Sequence, residues 1–494
     1  MPAARWLYAG LRAAVLEGRL RPGARLPATR DLARHHGLSR GTVVSAFEQL
    51  ASEGYVEARV GSGTRVASVL PDSLLQVAHR GTAATAATAA KAAAARPPAE
   101  RQRPRRLSDY GRRVRPFPEP RLVPARAFRT DLPALDLFPT TLWAQVAARR
   151  LRRASTNLLV GCGPMGYRPL QEAMAGYLTA SRGVHCVPEQ IAIVSGVQEA
   201  LDLAARLLLN PGDRVAIEDP GYIGAALVFE TLGAAVAPVP LDGEGMTLDE
   251  SSLAGARLVY VTPAHQFPCG VGMSLPRRLA LLEWARSSGG LIFEDDYDSE
   301  YRYGGRPVPA LQGLDRHGQV LFAGSFSKVL FPSLRLGYLV VPADLVDAFA
   351  AAQSVTHRHA PLLEQAVLAD FIAGGHFGRH VRRMRQVYAE RLSVLLECAA
   401  ERLAGLLEIS GVEAGLQTVG WLRGGIDGEA AARAAARRHV EVTPLSRYGR
   451  GPAAREGLQL GFAAVDPPAI RRGVADLAAA LAEEAGARAR GGRP

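Results

Sequence analysis

Lys328 closes the segment Gly324-Ser325-Phe326-Ser327-Lys328 and is one of only two lysines in a chain that carries 57 arginines. A guanidinium stays protonated, whereas a lysine amine with a lowered pKa attacks an aldehyde, so an amine kept at this position has chemical meaning. Other polar residues stand just after apolar runs. Asp295 and Tyr297, in Glu294-Asp295-Asp296-Tyr297, follow a stretch that reads as a buried strand. A carboxylate there is costly unless a cation meets it, and a protonated ring nitrogen is such a partner. Tyr222, in Asp219-Pro220-Gly221-Tyr222, offers a ring to a flat heteroaromatic. Gly196, Val197 and Gln198 open a helical pattern whose free N–H groups suit an anion. Ser325, Ser327 and Arg335 flank the lysine with phosphate-binding chemistry. Singly, each has an ordinary alternative: a surface lysine in a serine loop, a tyrosine packed in a turn.

As a set, these groups ask for one molecule with an aldehyde for Lys328, a ring nitrogen for Asp295, a phenolate oxygen for Tyr297 and a phosphate. Pyridoxal 5′-phosphate carries all four. The elements that must position them are short β-rich runs separated by helical patterns: 191–194, 214–218, 258–262, 291–294, 320–323 and 336–341. Such alternation implies a mostly parallel sheet covered on both faces, an α/β architecture whose ligands sit at the carboxyl ends of the strands.

The net charge of +12 is unevenly spread. Residues 1–67 carry +5, residues 68–128 carry +8 and the remainder −1, so the excess lies where a nucleic acid would be met. Within residues 1–67, Leu7, Leu11, Val15 and Leu16 repeat at helical spacing before Gly18. A second helix carrying Leu32 and Ala33 stops at Gly37. Ser39 caps a third, whose Val43, Val44, Phe47 and Leu50 are expected inside. Alternating residues around Gly61-Ser62-Gly63 give a hairpin wing. In this winged helix-turn-helix the third helix enters the major groove, with Arg40 reaching a base edge and Ser39 and Thr42 at phosphate. Arg30, Arg59 and Thr64 are expected on the DNA backbone, with Gly61 at the wing turn. Residues 68–128 read as a basic, alanine- and proline-rich tether, helical in part at most.

Gly18-Arg19-Leu20-Arg21-Pro22-Gly23, Leu38-Ser39-Arg40-Gly41-Thr42-Val43 and Glu53-Gly54-Tyr55 resemble the GntR winged-helix family across residues 3–67. Ala28 departs from it, since many members cap the second helix there with serine, and a slightly frayed end is expected. From about residue 129, the Asp295-to-Lys328 interval and Ser325-x-Ser327-Lys328-x6-Leu334-Arg335-Leu336-Gly337 resemble fold-type-I aminotransferases. That resemblance implies a smaller C-terminal α+β subdomain, Lys328 as the cofactor lysine, Asp295 on the ring nitrogen and Tyr222 stacked on the ring. It also implies Gln266 beside the ring oxygen and Tyr167 on the phosphate of a partner subunit. The order 1–67 winged helix, 68–128 linker, 129–494 effector domain resembles the MocR subfamily of transcriptional regulators. The subfamily implies a homodimer, often head-to-tail with crossed arms, that binds double-stranded promoter DNA and answers to a small molecule. That effector is either pyridoxal phosphate itself or an amine or amino acid. Gln459 stands where aminotransferases keep a carboxylate-binding arginine, which favours the cofactor as the signal unless Arg447, Arg450 or Arg455 substitutes. The rival reading is a working aminotransferase with an accessory winged helix, and residual half-reactions fit either.

No signal peptide or membrane span is visible, and Cys162, Cys186, Cys269 and Cys398 form no paired motif. His35-His36 and His357-Arg358-His359 lack partner clusters, so no metal site is expected. A reducing cytoplasm is the expected location.

Overall fold

The computed structural model describes residues 3–59, 63–67, 105–118, 124–249, 251–304, 309–409, 411–451 and 455–491. The chain divides into two compact units, Met1–Arg105 and Arg106–Pro494.

In the first unit, helices α1 (Ala3–Leu16), α2 (Thr29–His36) and α3 (Arg40–Ser52) precede strands β1 (Val56–Arg59) and β2 (Gly63–Val66). The strands pair antiparallel from Val56↔Val66 to Arg59↔Gly63. Leu7, Val15, Leu32, Val43, Ala46, Phe47, Leu50, Tyr55 and Val66 form the core. The apolar stripe of α1 stops at Val15, and Leu16, where the helix ends, is 43% exposed. One inward expectation needs correcting. Val44 is only half-buried, and Ala46 takes the inner position in its place. Ala28 gives α2 no side-chain cap, and the left-handed Gly37 closes it into the turn before Ser39.

The second unit is built on an eight-stranded sheet of order β3-β10-β9-β8-β7-β4-β5-β6. Its strands are β3 (Ile191–Val194), β4 (Arg214–Asp219), β5 (Ala235–Asp242), β6 (Gly245–Met246), β7 (Ala256–Val261), β8 (Leu291–Asp296), β9 (Val320–Ser325) and β10 (Gly337–Val340). All six β-rich runs are strands. The parallel block spans β5, β4, β7, β8 and β9, while β10 runs antiparallel to both β9 and β3. The hairpin of β5 with β6 lies beyond the sequence expectation. Pro238 and Pro240 break the strand pattern there, and a sheet edge is where proline is tolerated. Helix α4 (Val197–Leu208) follows β3 and packs Leu201, Leu203 and Ala204 onto the sheet. β4 pairs with β5 on one side and β7 on the other, so the connections diverge beside Asp219 and Thr262. That divergence opens the crevice in which such sheets take ligands.

A second, antiparallel sheet of order β11-β12-β14-β13 joins β11 (Leu407–Ile409), β12 (Gln417–Leu422), β13 (Thr443–Pro444) and β14 (Gly457–Gly461). Helices α5 (His376–Arg402) and α6 (Pro467–Gly491) cover it, bringing Leu392, Leu395, Ile470 and Leu477 into one core with Leu458 and Leu460 of β14. Within the span expected as linker, Asp109–Arg113 is a short helix, and Arg113 Nε donates to Thr231 O at 2.9 Å. Among the described residues no helix is long and apolar enough to cross a membrane.

Candidate functional site

β8 and β9 run parallel and in register, Asp295 opposite Ala323 and Asp296 opposite Gly324. The end of one therefore carries the carboxylate, and the loop after the other carries the lysine. Lys328 Nζ donates to the carbonyl of Asp131 at 2.9 Å and to its Oδ1 at 2.7 Å. Asp131 holds a left-handed backbone (φ 66°), and its N–H donates to Gln417 Oε1. Neither Asp131 nor Gln417 was anticipated from the sequence.

Asp295 is buried. Tyr260 Oη donates to its Oδ2 at 2.8 Å, while Oδ1 has no partner among the described residues. Burial pushes its carboxyl up to about 7, against the pull of Tyr260 and Lys328. A protonated ring nitrogen is the kind of group that would satisfy the orphaned oxygen. Tyr222 lies near Tyr260 (centroids 6.4 Å, planes 29° apart) and edge-on to Phe267, and burial raises its phenol. Gly224 supports that ring: a β-carbon there would stand 2.6 Å from it, so this position admits no side chain while Tyr222 stays.

Gly196 adopts φ 141° at the start of α4, and a β-carbon on it would point at the Arg335 guanidinium 3.7 Å away. Backbone N–H groups, the helix N-terminus and an exposed arginine thus frame one small space. Gln198 Oε1 is buried without a partner among the described residues, and Ser325 Oγ accepts from Ser327 N at 3.2 Å. The donor set, the glycine cradle and the orphaned Asp295 oxygen together fit pyridoxal 5′-phosphate.

The remaining expected residues lie less simply. Tyr297 Oη is engaged with His265 Nδ1 at 3.0 Å, and that nitrogen also meets Asp298 at 3.1 Å. Gln266 spends its amide locally: Nε2 donates to Pro220 O at 3.0 Å and to Glu218 Oε2, and Oε1 accepts from Cys269 N. It braces the turn that presents Tyr222. Burial raises the Glu218 carboxyl to about 7 in the same network. Tyr167 N–H donates to Gln365 Oε1, and its side chain packs with Leu158, Leu362 and Ala366 and against the cluster that includes Phe326 and Val329. Phe267, which follows Gln266, is instead ringed by Tyr222, Tyr297 and Tyr448. A cavity of about 850 Å³ opens alongside, lined by His265, Gln417 and Trp421 among others, without Lys328 or Asp295.

On the first unit, Ser39 Oγ accepts from Thr42 N at 3.1 Å and pairs with Thr42 Oγ1 at 2.8 Å. Arg30, Ser39 and Arg40 are exposed, and Thr42 and Thr64 are half-buried. Arg65 Nη1 reaches Gly23 O, tying the wing to the turn after α1. The Arg59 side chain and Gly61 lie outside the described residues.

Residues 3–66 match the gntR family of bacterial regulatory proteins, and residues 135–477 match aminotransferase class I and II. The chain is 41% identical to the probable rhizopine catabolism regulatory protein MocR of Rhizobium meliloti, over 97% of this chain and 94% of that one. It is a MocR-type member of the GntR regulators. The pyridoxine biosynthesis transcriptional regulator PdxR of Corynebacterium glutamicum is 29% identical over 95% of this chain and 94% of its own. Among solved structures, the α-aminoadipate aminotransferase LysN of Thermus thermophilus matches with a TM-score of 0.66 and 30% identity. The match covers 72% of this chain and 92% of that enzyme, whose crystals hold N-(5′-phosphopyridoxyl)-L-leucine. This MocR-type chain is therefore a pyridoxal-phosphate-dependent, DNA-binding transcriptional regulator.

Proposed function

We propose that Lys328 is the sensing residue, and that what it binds alters the hold of the winged helix on promoter DNA. The bound cofactor would supply an aldehyde that captures primary amines. The protein's own groups prepare that capture. Asp295 keeps a proton at the ring nitrogen through its free Oδ1, and Tyr222 covers the ring. Gly196, Val197, Gln198, Ser325, Ser327 and Arg335 bind phosphate at the start of α4. Tyr297 and Gln266 support the ring edge through His265 and the Pro220 turn. The observation that carries this reading is the buried, unpartnered oxygen of Asp295, a cost that an apo structural domain has no reason to keep.

Residues 1–67 act as the reader of DNA, 68–128 as tether and 129–494 as effector domain. Arg40 meets a base edge, Ser39 and Thr42 meet phosphate, and Arg30, Arg59, Gly61 and Thr64 flank the backbone. The working form is a cytoplasmic homodimer, arms exchanged head-to-tail, in which Tyr167 serves the partner's phosphate. Gln459 in place of a carboxylate-binding arginine speaks against steady turnover of amino acids. One relative is named for rhizopine catabolism and another for pyridoxine biosynthesis; the signals weighed for this chain are the cofactor itself and an amine or amino acid.

The test is binding of the apo-protein to its own upstream DNA, titrated with pyridoxal phosphate. A shift in affinity or footprint that is absent in Lys328→Ala is the expected result. Identical titrations for both proteins would overturn the sensing role.

A further inference from the structure

Around Lys328 the charges are arranged against one common class of amine. Its ammonium touches the Asp131 carboxylate at 2.7 Å, and Asp131 is half-open to solvent at 43%. Tyr448 packs against Phe267, with centroids 5.1 Å apart, and lies beside Thr130. Its hydroxyl donates to Gln459 Oε1 at 2.8 Å. Gln459 is fully buried, and its Nε2 has no acceptor among the described residues. Through Tyr448, which lies within reach of the Asp131 charge, this strand position offers a neutral amide with spare capacity for one hydrogen bond.

The three arginines that might have restored a positive charge are spent elsewhere. Arg447 grips Glu429 with two bonds of 2.9 Å, and Arg450 is paired with Glu230. Arg455 lies over Trp421 at 4.8 Å and bonds Glu408. Arg129, two residues before Asp131, is itself partnered. An α-amino acid would carry its carboxylate one carbon from the nitrogen, beside the Asp131 carboxylate and with Arg447, Arg450 and Arg455 held by other carboxylates. An amine bearing hydroxyls or a second cationic nitrogen meets no such penalty. Asp131 accepts from it, and Gln459 bonds a neutral oxygen.

We infer that the small molecule read at Lys328 is a primary amine without an α-carboxylate, and that Asp131 and Gln459 set this preference. The inference rests on Lys328 as the cofactor lysine, and its test separates the two. The cofactor-loaded full-length protein is first compared with Lys328→Ala by visible absorption. If the wild-type band is missing or survives the substitution, the cofactor reading falls, and this inference with it. With that band in place, putrescine, ethanolamine and glucosaminitol are titrated against L-alanine, L-leucine and L-glutamate, following the absorption shift and the DNA footprint.

The expected result is a half-maximal concentration lower by about tenfold or more for the best carboxylate-free amine, equivalent to about 1.4 kcal/mol. Gln459→Arg should move the preference toward the amino acids by a similar factor. Should that buried arginine prevent folding, Asp131→Asn, at a half-exposed position, should by itself narrow the gap. Amino acids acting at lower concentrations than every amine would overturn the inference. So would a wild-type band that none of the six compounds moves, or a preference unchanged in Asp131→Asn.

Discussion

The two working surfaces of this regulator are built on opposite principles. In the winged helix the chemistry-bearing side chains Arg30, Ser39 and Arg40 stand in solvent on a domain whose core is wholly apolar. In the effector unit they converge from strand ends and a helix start, and buried polar atoms are left incomplete: Asp295 Oδ1, Gln198 Oε1 and Gln459 Nε2 have no partner among the described residues. The exposed surface costs nothing to fold and adds its contacts one by one, each screened by salt. The buried one is unfavourable until a ligand arrives, and it binds strongly because the cost is already built in. Removing a residue should therefore weaken DNA binding by degrees, and should change cofactor binding together with stability.

The largest effect is expected at Lys328. Lys328→Ala removes the amine whose charge acts on Asp295, so the cofactor should be lost on gel filtration and the visible absorption with it. The winged-helix fold should be unaffected by far-UV circular dichroism. Asp295→Asn sharpens the contrast. Its carboxyl titrates near 7 in the folded chain and near 4 when unfolded, so the native state holds the proton more tightly. Its contribution to stability therefore improves as pH falls from about 7 toward 4, and the full penalty is present above 7. At pH 8 the apo-form of Asp295→Asn should be more stable than wild type in thermal melts, by on the order of a few kcal/mol. Its hold on pyridoxal phosphate should be weaker. A variant that loses stability as well as cofactor would show that Asp295 is structural.

The same contrast governs what the sequence discloses. Helical periodicity located α1 to α3, and the scarcity of lysine singled out Lys328, because both are local signals. Asp131 escaped notice: it lies 197 residues from the lysine it contacts, in a segment with no periodicity. Tyr260, the partner of Asp295, reads simply as an apolar strand residue, since its neighbours Leu258, Val259 and Val261 are buried alike. Residue type alone could not show that Arg447, Arg450 and Arg455 are already paired, because Glu429, Glu230 and Glu408 reach them only after folding. Strand β5, next to the sheet edge, was hidden by its own prolines.

On the exposed surface the effects should be smaller and of two kinds. Arg40→Ala, removing a base-edge contact, should cost about 1–3 kcal/mol on the native operator and relax selectivity at one position. Arg30→Ala should weaken all DNA alike and lower the salt slope by about 1. If both variants lose affinity equally on operator and random DNA, α3 is not reading bases.

The smallest effect tests whether the division between the two surfaces is complete. Ser39 Oγ accepts from Thr42 N, so it caps α3, yet it is also exposed where phosphate would lie. Ser39→Ala should cost about 1 kcal/mol of local stability, seen as faster amide exchange at Thr42 and Val43 in the full-length protein. Asparagine also caps, so Ser39→Asn should restore slow exchange. DNA affinity then decides the matter. If it recovers with the cap, Ser39 serves DNA only by holding the helix end in place. If it stays low while exchange is normal, the hydroxyl touches the phosphate itself, and one side chain serves both fold and function on the surface where the two otherwise stand apart.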